Sequence, residues 1–347
     1  MHVVIAPDSF KGTATAAAVS AAIAEGWSSE RPDDRVVLVP MADGGEGTLD
    51  AFAAAHPGAV RVPVTVTGPA GTPVNTSWLR LPDGRAVVEL AATSGLPLLG
   101  GDLLPDTATS RGFGEAIAAA LDAGATGLVL GIGGSASTDG GRPVLEALGL
   151  RDDGTGLRPL PPLGATVLTD VTSPLLGPDG AAAVFGPQKG VPAERVPEFD
   201  ERLATWAARF PAVDPATPGA GAAGGVGFGL LVWGATIAPG AVAVAEVLGL
   251  PAALTTADVV VTGEGRYDAQ SAAGKVPSVV RALARELAPD ARAVLVAGAV
   301  EAPLGDFATG ASLTVIATQT TGEPDDALRD PLRFARIAGE RLARLAG

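Results

Sequence analysis

Four short stretches of this chain set acids or a lysine among glycines and other small residues, directly behind an apolar run. They are APDSFKGT (6–13), MADGGEGT (41–48), GIGGSASTDGG (131–141) and TGEGRYD (262–268). Glycines let backbone N–H groups approach an oxyanion closely, and a helix N-terminus adds positive potential there. Acids such as Asp43 and Glu46 would repel a bare phosphate, so such a loop also needs a cation or a hydroxyl to receive them. Phosphoryl transfer brings both: a magnesium nucleotide and an alcohol, with an acid to orient the hydroxyl and cations to spread the charge of the moving group. The competing role for Asp43 and Glu46 is to cap the helix that follows them.

Residue usage narrows the chemistry further. The chain has no cysteine and two histidines, His2 and His56, neither of which has a partner at metal-ligand spacing. Thiolate nucleophiles, disulfides, cysteine-bound zinc and a histidine-based triad are thereby set aside. General-base work falls to a carboxylate. Of the 24 basic residues three are lysines, Lys11, Lys189 and Lys275, and each touches a glycine in FKGT, QKGV and GKVP. A compact ammonium at a tight turn suits phosphate, although Lys189 and Lys275 are also explained as remnants of an arginine-biased composition.

Known nucleotide motifs are absent: there is no G-x-x-x-x-G-K-[ST], no HRD and no DFG. GIGGSA matches G-x-G-x-x-A after a strand, which opens a nicotinamide-dinucleotide reading. The second strand and its terminal acid are missing at the required distance, so a phosphate-cradling turn fits better.

The elements that must carry these loops follow from apolar patterning. With 347 residues, 47% of them hydrophobic, the chain can fill two cores, and its 47 glycines and 29 prolines punctuate apolar runs. Val3–Ala6, Val36–Val39, Val259–Thr262, Ala293–Ala297 and Leu313–Ala317 read as strands. Helices are expected over 13–27, 46–55, 276–287 and 329–346, which makes a doubly wound parallel sheet from both ends of the chain. Between them, runs at 62–66, 76–81 and 86–90 separated by TGPAGTP and LPDGR read as antiparallel or mixed strands, followed by strands at 127–131 and 166–171. The expectation is an α/β protein in which residues 1–62 and 257–347 form one domain and 63–256 form an inserted one.

A formal charge of −14 argues against nucleic-acid or anionic-membrane surfaces. Residues 219–254 carry one charge, Glu246, but Pro239, Pro251 and many glycines interrupt them, so buried helices packed through glycine are expected in place of a membrane span. The N-terminus MHVVIAPDSFKG has no basic region and too short an apolar core for a secretion signal, so the expected location is cytoplasmic.

Eight segments occur in the order shown by the bacterial type I glycerate kinases: IAPDSFKGT, VPMADGGEGT, VTVTGP, ATSGLPL, GIGGSASTDGG, TDVTSPLLGPDGAAAVFGPQKG, PGAGAAGGVGFGLL and VVVTGEGRYDAQSAAGK. The chain resembles that family over nearly its whole length. The resemblance implies an ATP-dependent, magnesium-assisted kinase acting on D-glycerate, more often giving 2-phosphoglycerate than 3-phosphoglycerate. It also implies a flavodoxin-like domain made from both chain ends, an inserted α/β domain of mixed sheet, and a site in the cleft between them. The chain departs from the family around Thr169, Thr172 and Ser173, which leaves Asp170 as the single acid of that stretch.

Candidate roles follow. Lys11, Asp43 and Asp139 are the catalytic candidates, with Lys11 neutralising phosphate oxygens and Asp139 or Asp43 accepting the hydroxyl proton. Ser9, Gly44, Gly45, Ser94, Arg111, Gly133, Gly134, Ser135, Lys189, Arg266 and Lys275 are candidates for substrate or phosphate, Arg111 and Arg266 being the arginines inside glycine loops. Asp170, Glu264 and Asp268 are candidates for magnesium. Structural roles compete at several of these: helix capping for Asp43, as above, and for Ser135, and a salt bridge to Arg266 for Asp268. The alternatives in function are a kinase for another small hydroxy acid or polyol, and a non-catalytic phosphometabolite-binding protein. The partners expected are D-glycerate and ATP; oligomeric state is not readable.

Overall fold

The computed structural model describes residues 1–10, 12–268, 271 and 275–346. Among the described residues eleven strands form two sheets. In chain order they are β1 (His2–Pro7), β2 (Arg35–Leu38), β3 (Val60–Thr67), β4 (Pro73–Arg80), β5 (Ala86–Glu89), β6 (Leu128–Gly131), β7 (Ala165–Leu168), β8 (Thr236–Ala238), β9 (Val259–Tyr267), β10 (Arg292–Val300) and β11 (Thr309–Ser312). Contacts group the chain into two compact units, residues 1–43 with 241–347, and residues 44–240.

The first unit holds a sheet of order β11-β10-β9-β1-β2, parallel throughout. Numbered within this sheet alone the order is 2-1-3-4-5, the flavodoxin-like doubly wound arrangement. Val3, Val4 and Ile5 on β1, and Val260 and Val261 on β9, are buried, as strands covered on both faces must be. On one face the helices Ala16–Glu30 and Pro331–Leu345 lie in close contact. A Cβ at Gly26 would stand 1.9 Å from the carbonyl oxygen of Arg336, and one at Gly339 would stand 2.2 Å from that of Ile23, so the pair of glycines sets how near the helices come.

Residues 313–317, expected as a strand, are the start of a helix, Leu313–Thr321, and the strand lies just before it at Thr309–Ser312. The β-branched run imitates a strand, but Leu313, Ile316 and Ala317 are the buried residues, and their spacing is helical.

The second unit holds a sheet of order β3-β4-β5-β6-β7-β8. Its first three strands pair antiparallel and the rest pair parallel, so the sheet is mixed, as expected. The helix Thr48–Ala55, expected with the first sheet, packs on β4 and β5, and the chain passes into the second unit at 43/44 in place of 62/63. At the other end it returns at 240/241 in place of 256/257.

Residues 219–254 contain short buried helices, as expected. In the segment Ala222–Trp233, Ala223, Gly224 and Gly225 take left-handed φ values of 57°, 69° and 91°, so the first turn is a kink and not a regular helix. A Cβ on Gly227 would stand 2.1 Å from the carbonyl oxygen of Gly219. Among the described residues no helix is long and apolar enough to cross a membrane.

Candidate active site

In the first unit the strands β1, β9 and β10 all point their carboxyl ends at one cavity of about 510 Å³. Its walls bring together five residues singled out from sequence, Ser9, Glu264, Arg266, Asp268 and Lys275. Asp8, which sequence reasoning passed over although it lies inside APDSFKGT, lines the same cavity. Asp8 is buried, and its Oδ1 accepts the N–H of Ser9 at 2.7 Å. The Ser9 hydroxyl is buried and has no hydrogen-bond partner among the described residues, as expected of a group that meets a ligand.

Glu264 is 6% exposed, and Lys275 Nζ stands 3.8 Å from its Oε2, so an acid and a lysine share the wall. Lys275 is the residue immediately before the helix Val276–Leu287, and its side chain makes no capping bond to that helix. Asp268 Oδ1 accepts the N–H of Ser271 at 3.3 Å. Arg266 donates Nε and one terminal nitrogen to both oxygens of Glu301, at 2.9 and 2.7 Å, so its fork is already filled by a carboxylate from β10's end. The Glu301 carboxylate raises the Arg266 pKa further above its ordinary value. Lys11 lies outside the described residues.

In the second unit the loops after β5, β6 and β7 meet the segment that begins with Gly44. Gly133 donates its N–H to the carbonyl of Gly44 at 3.0 Å. A Cβ on Gly133 would stand 2.5 Å from Gly45 Cα, and one on Gly44, whose φ is +91°, would stand 2.4 Å from the carbonyl oxygen of Leu168. These glycines are therefore required by backbone packed on backbone. The helix Thr48–Ala55 opens from Gly47 in a left-handed conformation, and the N–H of Leu49 is accepted by Oε2 of Glu89 at 2.9 Å. Glu46 is exposed. Burial pushes the Glu89 carboxyl up to about 7, against the backbone donors of Leu49 and Gly47. Nothing in AVVEL announces Glu89 in the sequence, because its partner lies forty residues upstream.

Ser94 and Ser135 lie on adjoining turns: Ala136 donates its N–H to the Ser94 carbonyl at 3.0 Å, and Leu96 donates to Gly134 at 2.9 Å. The Ser94 hydroxyl is buried without a hydrogen-bond partner among the described residues. Ser135 Oγ accepts from Lys189 Nζ at 2.7 Å, and the same ammonium donates to the Ser137 carbonyl at 2.5 Å. Lys189 is 2% exposed; burial pushes it down to about 7, while the nearby Asp139 charge acts in the opposite sense.

Asp139 accepts three bonds: Oδ2 from the Ser110 N–H at 2.8 Å, and Oδ1 from Ser110 Oγ and from the Gly141 N–H, both at 3.0 Å. Desolvation raises its pKa and these donors oppose the rise. Its lone pairs thus hold the starts of two helices, Arg111–Asp122 and Arg142–Ala147. Arg111 turns to Glu115, with Nε 3.0 Å from Oε1, in an exposed pair four residues apart. Asp170 Oδ1 accepts the Gly240 N–H at 2.8 Å. Asp43, partly buried, ends the first segment of the first unit.

Among the described residues no group of three or more histidine, aspartate or glutamate side chains forms a metal cage. Magnesium does not require one, since it usually keeps several waters and binds one or two carboxylates together with substrate phosphates. Glu264 and Asp268, oxygen donors on one cavity wall, meet that demand.

A model of the glycerate kinase family matches residues 3–166 and 158–347. The chain belongs to the glycerate kinase family. It is 42% identical to the glycerate 2-kinase of Escherichia coli K12 over 315 residues, 82% of each chain. It is 39% identical to the glycerate kinase of Bacillus subtilis 168 over 329 residues, 86% of this chain and 85% of that one. A crystal structure from Salmonella typhimurium LT2, named for glycerate kinase 2, matches with a TM-score of 0.78 at 37% identity and covers 99% of this chain and 98% of its own. Within the glycerate kinase family this chain is therefore a member over its full extent, in sequence and in fold.

Proposed function

We propose that this enzyme transfers the terminal phosphoryl group of ATP to D-glycerate, giving 2-phosphoglycerate in preference to 3-phosphoglycerate. The observation that carries the reading is the cavity of the first unit, where Ser9, Glu264, Asp268 and Lys275 converge at strand ends in a chain of the glycerate kinase family. The name of the Escherichia coli relative supports the 2-hydroxyl as acceptor.

In this reading Glu264 and Asp268, on one cavity wall, would hold magnesium. The ion, when bound, offsets phosphate charge. Lys275 and Lys11 offer ammonium groups to the nucleotide phosphates, and the Ser9 hydroxyl donates to them. In the second unit the turns of Gly44, Gly45, Gly133 and Gly134 and the hydroxyls of Ser94 and Ser135 are the substrate- or phosphate-binding groups of this reading, with Ser135 oriented by Lys189. Asp43 or Asp139 takes the proton of the attacking hydroxyl, since general-base work falls to a carboxylate in a chain with two histidines and no cysteine. Arg266 and Arg111 are the arginines available to the glycerate carboxylate, each by exchanging its present glutamate partner.

The test is incubation with magnesium, ATP and D-glycerate, with ADP release measured and the phosphoglycerate isomer assigned by phosphorus NMR. ADP formation that does not depend on glycerate overturns the substrate. A 3-phosphoglycerate product overturns the choice of hydroxyl.

A further inference from the structure

A second cavity, of about 390 Å³, lies wholly within the second unit and takes no part in the reaction proposed above. Its walls include Arg142, Arg202 and Arg209 with Trp206, Thr138, Asp106 and Asp139. Three guanidinium groups gathered in one hollow are unexpected in a chain of net charge −14.

The acids of the hollow are paired, and among the described residues two of its arginines keep free donors. Asp106 is taken up by Arg195 and Arg202, which hold its carboxyl well below the ordinary range. Asp139 is taken up by Ser110 and Gly141. Two of the three arginines are less occupied: Arg142 gives only Nε, to Glu146 at 2.7 Å, and Arg209 gives only one terminal nitrogen, to the carbonyl of Asp152 at 2.7 Å, whereas Arg202 is paired with Asp106 and Glu198. Among the described residues both terminal nitrogens of Arg142, together with Nε and Nη1 of Arg209, remain as donors. Thr138 Oγ1 is buried and has no hydrogen-bond partner among the described residues.

Both guanidinium groups are held by one ring, since Arg142 lies 5.7 Å and Arg209 5.2 Å from the Trp206 centroid. The ring is itself fixed, its Nε1 donating to the Gly140 carbonyl at 3.1 Å. Stacking limits the freedom the two long side chains would lose on meeting an anion. Two guanidinium forks offer more donors than the two oxygens of a carboxylate can receive, and they match the three terminal oxygens of a phosphate.

We infer that this hollow is a second anion site, distinct from the substrate cavity, which takes the phosphate group of a small phosphorylated molecule or inorganic phosphate between Arg142 and Arg209. Because Trp206 is bonded to Gly140 and Asp139 stands in the wall, an occupant would brace the same loop that carries Ser135.

The test is titration calorimetry on the full chain at low salt, with inorganic phosphate and separately with glycerol 3-phosphate as a phosphomonoester probe. Saturable binding is expected, weakened about tenfold or more in Arg142→Gln/Arg209→Gln, since two charge-assisted contacts are lost. Binding of both probes assigns the site to the phosphate group alone, whereas binding of the ester only assigns it to organic phosphates. The absence of saturable binding, or equal affinity in wild type and double variant, overturns the inference. Should circular dichroism show the double variant unfolded, Arg209→Gln alone must weaken binding at least about threefold, and unchanged affinity there overturns the inference equally.

Discussion

Glu89 at the end of β5 reaches Leu49, forty residues earlier, and its Oε2 accepts the Leu49 N–H at 2.9 Å. A buried carboxylate from one strand thus meets the positive end of the helix Thr48–Ala55, and the segment that begins with Gly44 is anchored from outside itself.

That contact gives a pH dependence with a definite sign. Burial raises the Glu89 carboxyl from 4.5 to about 7, so between those values the folded chain keeps a proton that the unfolded chain has shed. The stability contribution of this group is therefore complete below pH 4.5 and is lost as pH rises through 7. Glu89→Gln, which retains an acceptor, should gain stability relative to wild type between pH 4.5 and 7.5 in urea unfolding. A constant difference across that range refutes the argument. Glu89→Ala leaves the Leu49 N–H without its acceptor and should cost about 1–3 kcal/mol.

Lys189 gives the opposite slope. Its ammonium is pushed from 10.5 to about 7, so in that window the unfolded chain binds a proton that the folded chain lacks, and stability should rise with pH. Lys189→Met should remove this rise, as followed by thermal melts from pH 7 to 10. The same change takes the donor from Ser135 and should lower kcat/KM roughly tenfold or more. Lys189→Arg should not restore activity: a Cβ at Gly224 would already meet Nζ at 2.8 Å, which shows how little room surrounds it.

Gly133→Ala should lower the melting temperature, because the added Cβ would stand 2.5 Å from Gly45 Cα and neither backbone has an end that can swing aside. Overpacking of this kind costs about 1–3 kcal/mol. A wild-type melting temperature would mean that the two loops are not held together.

Lys11→Ala should reduce kcat about a hundredfold if its ammonium acts on the phosphoryl group in the transition state. Steady-state kinetics with saturating ATP and D-glycerate decide it, and an unchanged kcat removes Lys11 from the mechanism.

Chelation should abolish ADP release and added magnesium should restore it. Glu264→Gln should raise the magnesium concentration needed for half-maximal rate, since one of two carboxylate donors is neutralised. Activity that persists in excess chelator removes the metal from the reading.

The parallel core was open to sequence reasoning because its strands are buried on both faces, so Val3–Ala6 and Val259–Thr262 read as unbroken apolar runs. Leu313–Ala317 misled because β-branched residues look like a strand until the depth of Leu313, Ile316 and Ala317 is known. The glycine loops stood out, but their purpose did not: Gly44 and Gly133 press on neighbouring backbone, and a single chain of letters does not show which segments touch. For the same reason Glu89 escaped notice, and Arg266 could be given Asp268 as a partner when its fork is filled by Glu301, 35 residues on.

The helices locked together through Gly26 and Gly339 belong to opposite ends of the polypeptide, and β1 pairs with β9 across a separation of 256 residues. During synthesis the second unit is a continuous segment and has all its strands available first. The first unit must wait for the helix Pro331–Leu345, with β1 and β2 present but lacking β9 and β10 until then. Closure of the first unit is therefore expected to follow the emergence of the helix Pro331–Leu345. Truncation before Gly339 should strand the amino-terminal strands on an otherwise folded second unit, a product that limited proteolysis of nascent chains would reveal as protection of 44–240 alone.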